Sequence, residues 1–99
     1  MIREKDIEQA LIRAVRKSGG MCLKFVSPGV DGVPDRLCLW PHGVAAFAEL
    51  KKPGQRPRPL QVKRAEQLRG LGFRVEVIDS MEGAADFAQA KPGGGGDAE

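Results

Sequence analysis

The stretch that most constrains this chain is residues 32–51, GVPDRLCLWPHGVAAFAELK. Two apolar runs, 36–40 and 44–50, flank Pro41-His42-Gly43, a combination that turns a chain back on itself. Antiparallel strands joined this way lie side by side, so the start of the first meets the end of the second. Asp35 then stands beside Glu49-Leu50-Lys51 at one edge of a sheet. Strand side chains alternate in direction, so Glu49 and Lys51 share a face while Leu50 points into the core. Pro34 holds Val33 extended and fixes how Asp35 enters its strand. Two carboxylates and an ammonium gathered there suggest a divalent-metal site for phosphodiester chemistry.

The rest of the chain supplies a frame for that hairpin. Over 4–18, Ile7, Ala10, Leu11, Ala14 and Val15 recur at helical spacing until Gly19-Gly20 stops them. Arg13, Arg16 and Lys17 fall late in this helix, where its dipole favours cations. Residues 21–27 (MCLKFVS) read as a strand, and 28–33 as a Gly/Pro loop. The run 44–50 is nearly all apolar, as expected at the centre of a sheet. Residues 51–58 (KKPGQRPR) form a basic loop, and Pro59 can open a helix over 60–71 with Leu60, Ala65, Leu68 and Leu71 on its core side. Residues 73–78 (FRVEVI) alternate as a strand, and Ser80 can cap a last helix over 81–90. The final stretch, 91–99 (KPGGGGDAE), lacks the apolar content to order and is expected to be a disordered tail.

Short loops make the first three strands an antiparallel meander. The helix after the third is a crossover, so the fourth strand lies parallel to it by the right-handed rule. The expected fold is one α/β domain over 1–90 with an αβββαβ core, a mixed four-stranded sheet flanked by helices.

Composition narrows the function classes. Ninety-nine residues make one domain with one core. A net charge of +3 suits a polyanion partner, and only five aromatics (four Phe and Trp40) argue against a single-strand stacking platform. Cys22 and Cys38 lie inside apolar runs with no CxxC pair and one histidine in the chain, which reads as reduced core thiols rather than a zinc site. With no secretory leader and no apolar run near the ~18 residues of a membrane helix, a cytoplasmic chain with no membrane partner is expected. No nucleotide cofactor is expected either.

Pro34-Asp35 followed by Glu49-Leu50-Lys51 resembles the PD-(D/E)xK nuclease superfamily, whose core has this same restriction-endonuclease-like αβββαβ order. The fuller string resembles its VRR-Nuc branch in particular: GVPDRL, FAELKKPG, the Pro59-Leu60-Gln61 step that opens a helix, and LGFRVEVIDS. The resemblance runs from about Glu4 to Ser80, and no motif position is replaced.

This resemblance implies roles. Asp35 and Glu49 would coordinate Mg²⁺ or Mn²⁺ with the backbone carbonyl of Leu50, and Lys51 would orient or deprotonate the attacking water. A glutamate of the first helix would complete the site. Glu8 fits best, at the edge of the apolar stripe and eleven positions before Gly19, with Glu4 as the alternative. Gln61 matches a glutamine that recurs near the site. Lys52, Arg56 and Arg58, leaving the site directly, together with Lys24 and Arg36, are candidate contacts to DNA phosphates. The implied activity is a structure-selective DNA endonuclease for four-way junctions or flaps, acting as a homodimer. Two alternatives keep the fold without the chemistry: a non-cleaving DNA-binding module, or an assembly subunit of a phage or repair complex. The intact acids argue against both, because unneutralised carboxylates facing phosphate would weaken DNA binding.

Overall fold

Chain reversals at Gly19-Gly20, at Pro41–Gly43 and at Leu71-Gly72 divide the chain into the elements expected of it. The computed structural model describes residues 1–90; the expected tail over 91–99 lies outside them. The elements are α1 (Glu4–Lys17), β1 (Met21–Lys24), β2 (Arg36–Trp40), β3 (Val44–Leu50), α2 (Pro59–Gly70), β4 (Arg74–Ile78) and α3 (Met81–Gln89). The strands form one sheet in the order β1-β2-β3-β4. The first three are antiparallel, and β4 runs parallel to β3 after the crossover through α2. No helix among the described residues is long and apolar enough to cross a membrane.

Side-chain parity divides the sheet into two faces. Cys38 and Trp40 of β2, Ala46, Ala48 and Leu50 of β3, and Ile78 of β4 pack against Ile7, Leu11 and Val15 of α1 and Phe87 of α3. The Trp40 indole N–H donates to Ser18 Oγ at 2.9 Å, which satisfies its one polar atom in the core. On the opposite face Phe47 and Val75 pack with Phe25, Leu37, Ala65 and Leu68. Two helices therefore cover the first face and α2 alone covers the second.

Helix α2 departs from its expected packing. Of the four residues read as its core side, Ala65 is buried, but Leu60 is 41% and Leu71 75% exposed. Leu71 lies beyond the last turn, as the C-cap. Leu60 packs instead against the loop before β2, where Gly32 has φ +84 and a Cβ would come within 2.8 Å of the Leu60 side chain. Glycine at that position provides both the backbone conformation and the close approach.

Strand β1 is also shorter than the expected 21–27, ending at Lys24, although the Phe25 N–H still donates to the Asp35 carbonyl at 2.8 Å. Pro28-Gly29 follows too closely for a longer ladder, because proline has no N–H to give.

Candidate active site

The site begins with register. Arg36 pairs with Ala48 across the β2–β3 ladder, so the preceding Asp35 comes alongside Glu49. Odd-numbered residues of both strands face α2, which puts Asp35, Glu49 and Lys51 on one face and Arg36 and Leu50 on the other. The three groups expected to meet do share one face at the β2–β3 edge. Asp35 Oδ2 accepts the Leu50 N–H at 2.8 Å, tying the carboxylate to the strand that carries Glu49.

Glu49 is the one buried charged residue among the described residues, at 4% exposure. Its Oε2 lies 3.5 Å from Lys51 Nζ and accepts a hydrogen bond from Gln61 Nε2 at 2.7 Å. Gln61 cannot turn around, because its Oε1 accepts the Arg58 N–H at 2.8 Å and so caps the start of α2. The capping amide thereby aims its N–H at Glu49. The other oxygen, Glu49 Oε1, is buried with no hydrogen-bond partner.

The electrostatics follow from that enclosure. Burial pushes the Glu49 carboxyl up to about 7; Asp35 adds to the rise, Lys51 opposes it by charge and hydrogen bond, and Glu4 adds a smaller repulsion. A small cavity of about 60 Å³, lined by Pro34, Glu49, Gln61, Ala65 and Val75 among others, separates this carboxylate from the body of α2.

Of the two first-helix acids, Glu8 is engaged in an ion pair. Glu8 Oε2 is held by Arg36, with Nη2 at 2.9 Å and Nε at 3.0 Å. Arg36 Nη1 also donates to the Cys22 carbonyl at 3.3 Å. Arg36 belongs to the α1 face by parity, so its pairing with Glu8 ties helix α1 to the sheet. Glu4, one turn earlier and exposed, is the helix acid whose charge acts on Glu49. Arg36, read as a candidate phosphate contact, is half-buried and engaged by both Glu8 and the Cys22 carbonyl. Lys24, Lys52, Arg56 and Arg58 are exposed, and Arg56 lines an open groove of about 400 Å³ with Gly54, Gln55, Pro57, Val77 and Asp79. Sequence reasoning missed Arg64, whose Nε donates to the Asp31 carbonyl at 2.7 Å and fastens α2 to the loop leading into Asp35. No local pattern marks that contact.

The donor set fits a hard divalent cation. Two carboxylates, one with a bare buried oxygen, share the single ammonium of Lys51, which leaves negative charge for a further cation to offset. Among the described residues no group of three or more His, Cys, Asp or Glu gathers that could hold a metal ion. Two carboxylates and backbone oxygen suit Mg²⁺, which keeps several waters and takes few protein ligands, better than an all-protein cage.

Comparison with known proteins bears on the family and the fold. No protein-family model matches the chain. It is 49% identical over 82 residues to "Putative nuclease p44" of Acyrthosiphon pisum secondary endosymbiont phage 1, covering 83% of this chain and 88% of that protein. A solved structure described as a VRR_NUC domain superposes with a TM-score of 0.82 at 26% identity, covering 91% of this chain and 98% of the other.

Proposed function

This chain belongs to the VRR-Nuc family of nucleases, and from that premise we propose that it is a Mg²⁺- or Mn²⁺-dependent DNA endonuclease acting as a homodimer on branched DNA. The observation that carries the metal dependence is Glu49: buried, beside Asp35, with Oε1 unpartnered. In this reading Asp35, Glu49 and the Leu50 carbonyl hold the cation. When bound, it supplies charge neutralisation and Lewis-acid activation at the scissile phosphate.

Each residue then has a separate task. Gln61 fixes Glu49 through Oε2, so that Oε1 is the oxygen presented to the cation. Asp35 is oriented by the Leu50 N–H, which leaves Oδ1 for the same purpose. Lys51, anchored beside Glu49, orients the attacking water and offsets charge on the phosphate as a point cation. Hydrolysis adds water across one P–O bond, leaving a phosphate monoester and a hydroxyl. Glu4 is the first-helix acid of this reading, and Glu8 supports the strand instead of the cation.

Lys52, Arg56, Arg58 and Lys24 would carry the phosphate backbone. A domain this small covers little duplex, and a two-fold pair of sites would cut symmetric strands of a four-way junction or flap. The test is cleavage of labelled duplex, single-stranded, flap and four-way junction DNA with Mg²⁺, Mn²⁺ or a chelator, alongside Asp35→Ala and Lys51→Ala and a sedimentation measurement of mass. Metal-dependent cutting of branched DNA by a dimer, lost in both variants, is the expected result. Binding with no cutting of any substrate would leave the non-cleaving module.

A further inference from the structure

The proposed nuclease site leaves unused a pair of thiols on the other face of the sheet. Cys22 and Cys38, sixteen residues apart in sequence, are direct partners across the β1–β2 ladder. Their sulfurs are 3.7 Å apart, with Cys38 donating to Cys22.

Ladder phase makes this more than proximity. Phe25 donates to the Asp35 carbonyl, and hydrogen-bonded pairs alternate along an antiparallel ladder. Leu23 and Leu37 are then a hydrogen-bonded pair, and Cys22 and Cys38 a non-hydrogen-bonded one. Such pairs bring Cα atoms to about 4.5 Å, at the short end of the roughly 4.4–6.8 Å that a disulfide spans. A bond closed at the short end is easily reduced again.

The two thiols are also unequal. Cys38 has no exposure and Cys22 is half-buried, so an outside reagent meets Cys22 first. The hydrogen bond from Cys38 lowers the Cys22 pKa, burial opposes it, and the Arg36 charge that lowers it further is itself opposed by Glu8. The same bond, with burial, raises Cys38. One sulfur is set to attack and the other to follow.

We propose that Cys22 and Cys38 form a reversible modification site that reacts with small-molecule disulfides and closes to a cross-strand disulfide. The Cys22 thiolate attacks one sulfur of the reagent, breaking its S–S bond and releasing one thiolate. Cys38 passes its proton to that thiolate or to water and attacks Cys22 Sγ, displacing the second thiol. The protein loses two electrons and two protons, and the reagent is reduced to two thiols. The closed ring encloses residues 23–37, so it ties off the base of the loop that delivers Asp35.

The experiment treats the folded full chain with oxidised glutathione, followed by intact mass and thiol counting. The parent is expected to lose both thiols, fall in mass by roughly 2 Da, and recover both with a dithiol reductant. Cys38→Ala should stop as a stable glutathione adduct at Cys22, and Cys22→Ala should leave Cys38 unmodified. A parent that accumulates the Cys22 adduct with Cys38 reduced would overturn the proposal. So would a parent that fails to react, links to a second chain, or reacts no faster than Cys22→Ala.

Discussion

Replacing Glu49 with glutamine should make the metal-free protein more stable at neutral pH and above, while abolishing cleavage. The folded carboxyl titrates at about 7 against an ordinary 4.5, so the folded chain binds the proton more tightly than the unfolded chain. Stability from this group is therefore complete below about pH 4.5 and is lost as pH rises through about 7. Each tenfold change in acidity is worth about 1.4 kcal/mol, which puts the loss at about 3 kcal/mol by pH 8. Glutamine resembles the protonated acid in shape and neutrality and avoids that loss. For a domain of this size the gain is roughly 12 to 24 °C in Tm. The assay is denaturant or thermal unfolding in a chelator from pH 4.5 to 8, read as the difference between parent and variant. The curves should converge at the acid end and separate as pH rises. Adding Mg²⁺ or Mn²⁺ at pH 8 should restore the parent and stabilise Glu49→Gln far less, since the variant keeps only the Asp35 carboxylate of the pair. A difference that is flat with pH, or a variant less stable than the parent at pH 8, would refute the reasoning.

Three further outcomes follow from the same geometry. Gln61→Ala removes both the cap of α2 and the bond to Glu49 Oε2; unfolding should show a loss of about 1–2 kcal/mol, and single-turnover cleavage a fall of roughly 10–100-fold. Glu4→Gln should slow cleavage more than Glu8→Gln does, whereas Glu8→Gln should cost stability, about 1 kcal/mol, by leaving the half-buried Arg36 without its partner. The reverse ordering of rates would return the metal-site role to Glu8. Arg56→Ala should weaken binding to all DNA structures alike and reduce the slope of affinity against salt by about 1, measured by fluorescence anisotropy.

Much of this fold was legible because its strongest signals are local. The Pro-His-Gly turn, the all-apolar 44–50 run and the Gly-Gly stop each depend on neighbouring residues, and the β2 and β3 boundaries match expectation. Helix α2 was not legible in the same way. Its leucines do not form a stripe, and Leu60 is engaged by a glycine 28 positions earlier in the chain, a contact no helical periodicity encodes. The Gln61 cap could be read from sequence as a helix opening, but its second bond depends on how β3 lies beneath α2.

The two first-helix acids differ in what the surrounding fold asks of them. Position along α1 and spacing to Gly19 favoured Glu8, and both describe the helix alone. Strand parity had already put Asp35 and Glu49 on one face; carried to the next residue, it puts Arg36 on the other. An arginine entering beneath an amphipathic helix needs a carboxylate at the edge of the apolar stripe, and Glu8 is the acid there. Leaving that cation unpaired at the helix–sheet boundary would cost more than a solvated glutamate gains. Glu8 is thus the partner of Arg36, and Glu4, at the start of the helix and felt by Glu49, is the acid proposed for the site.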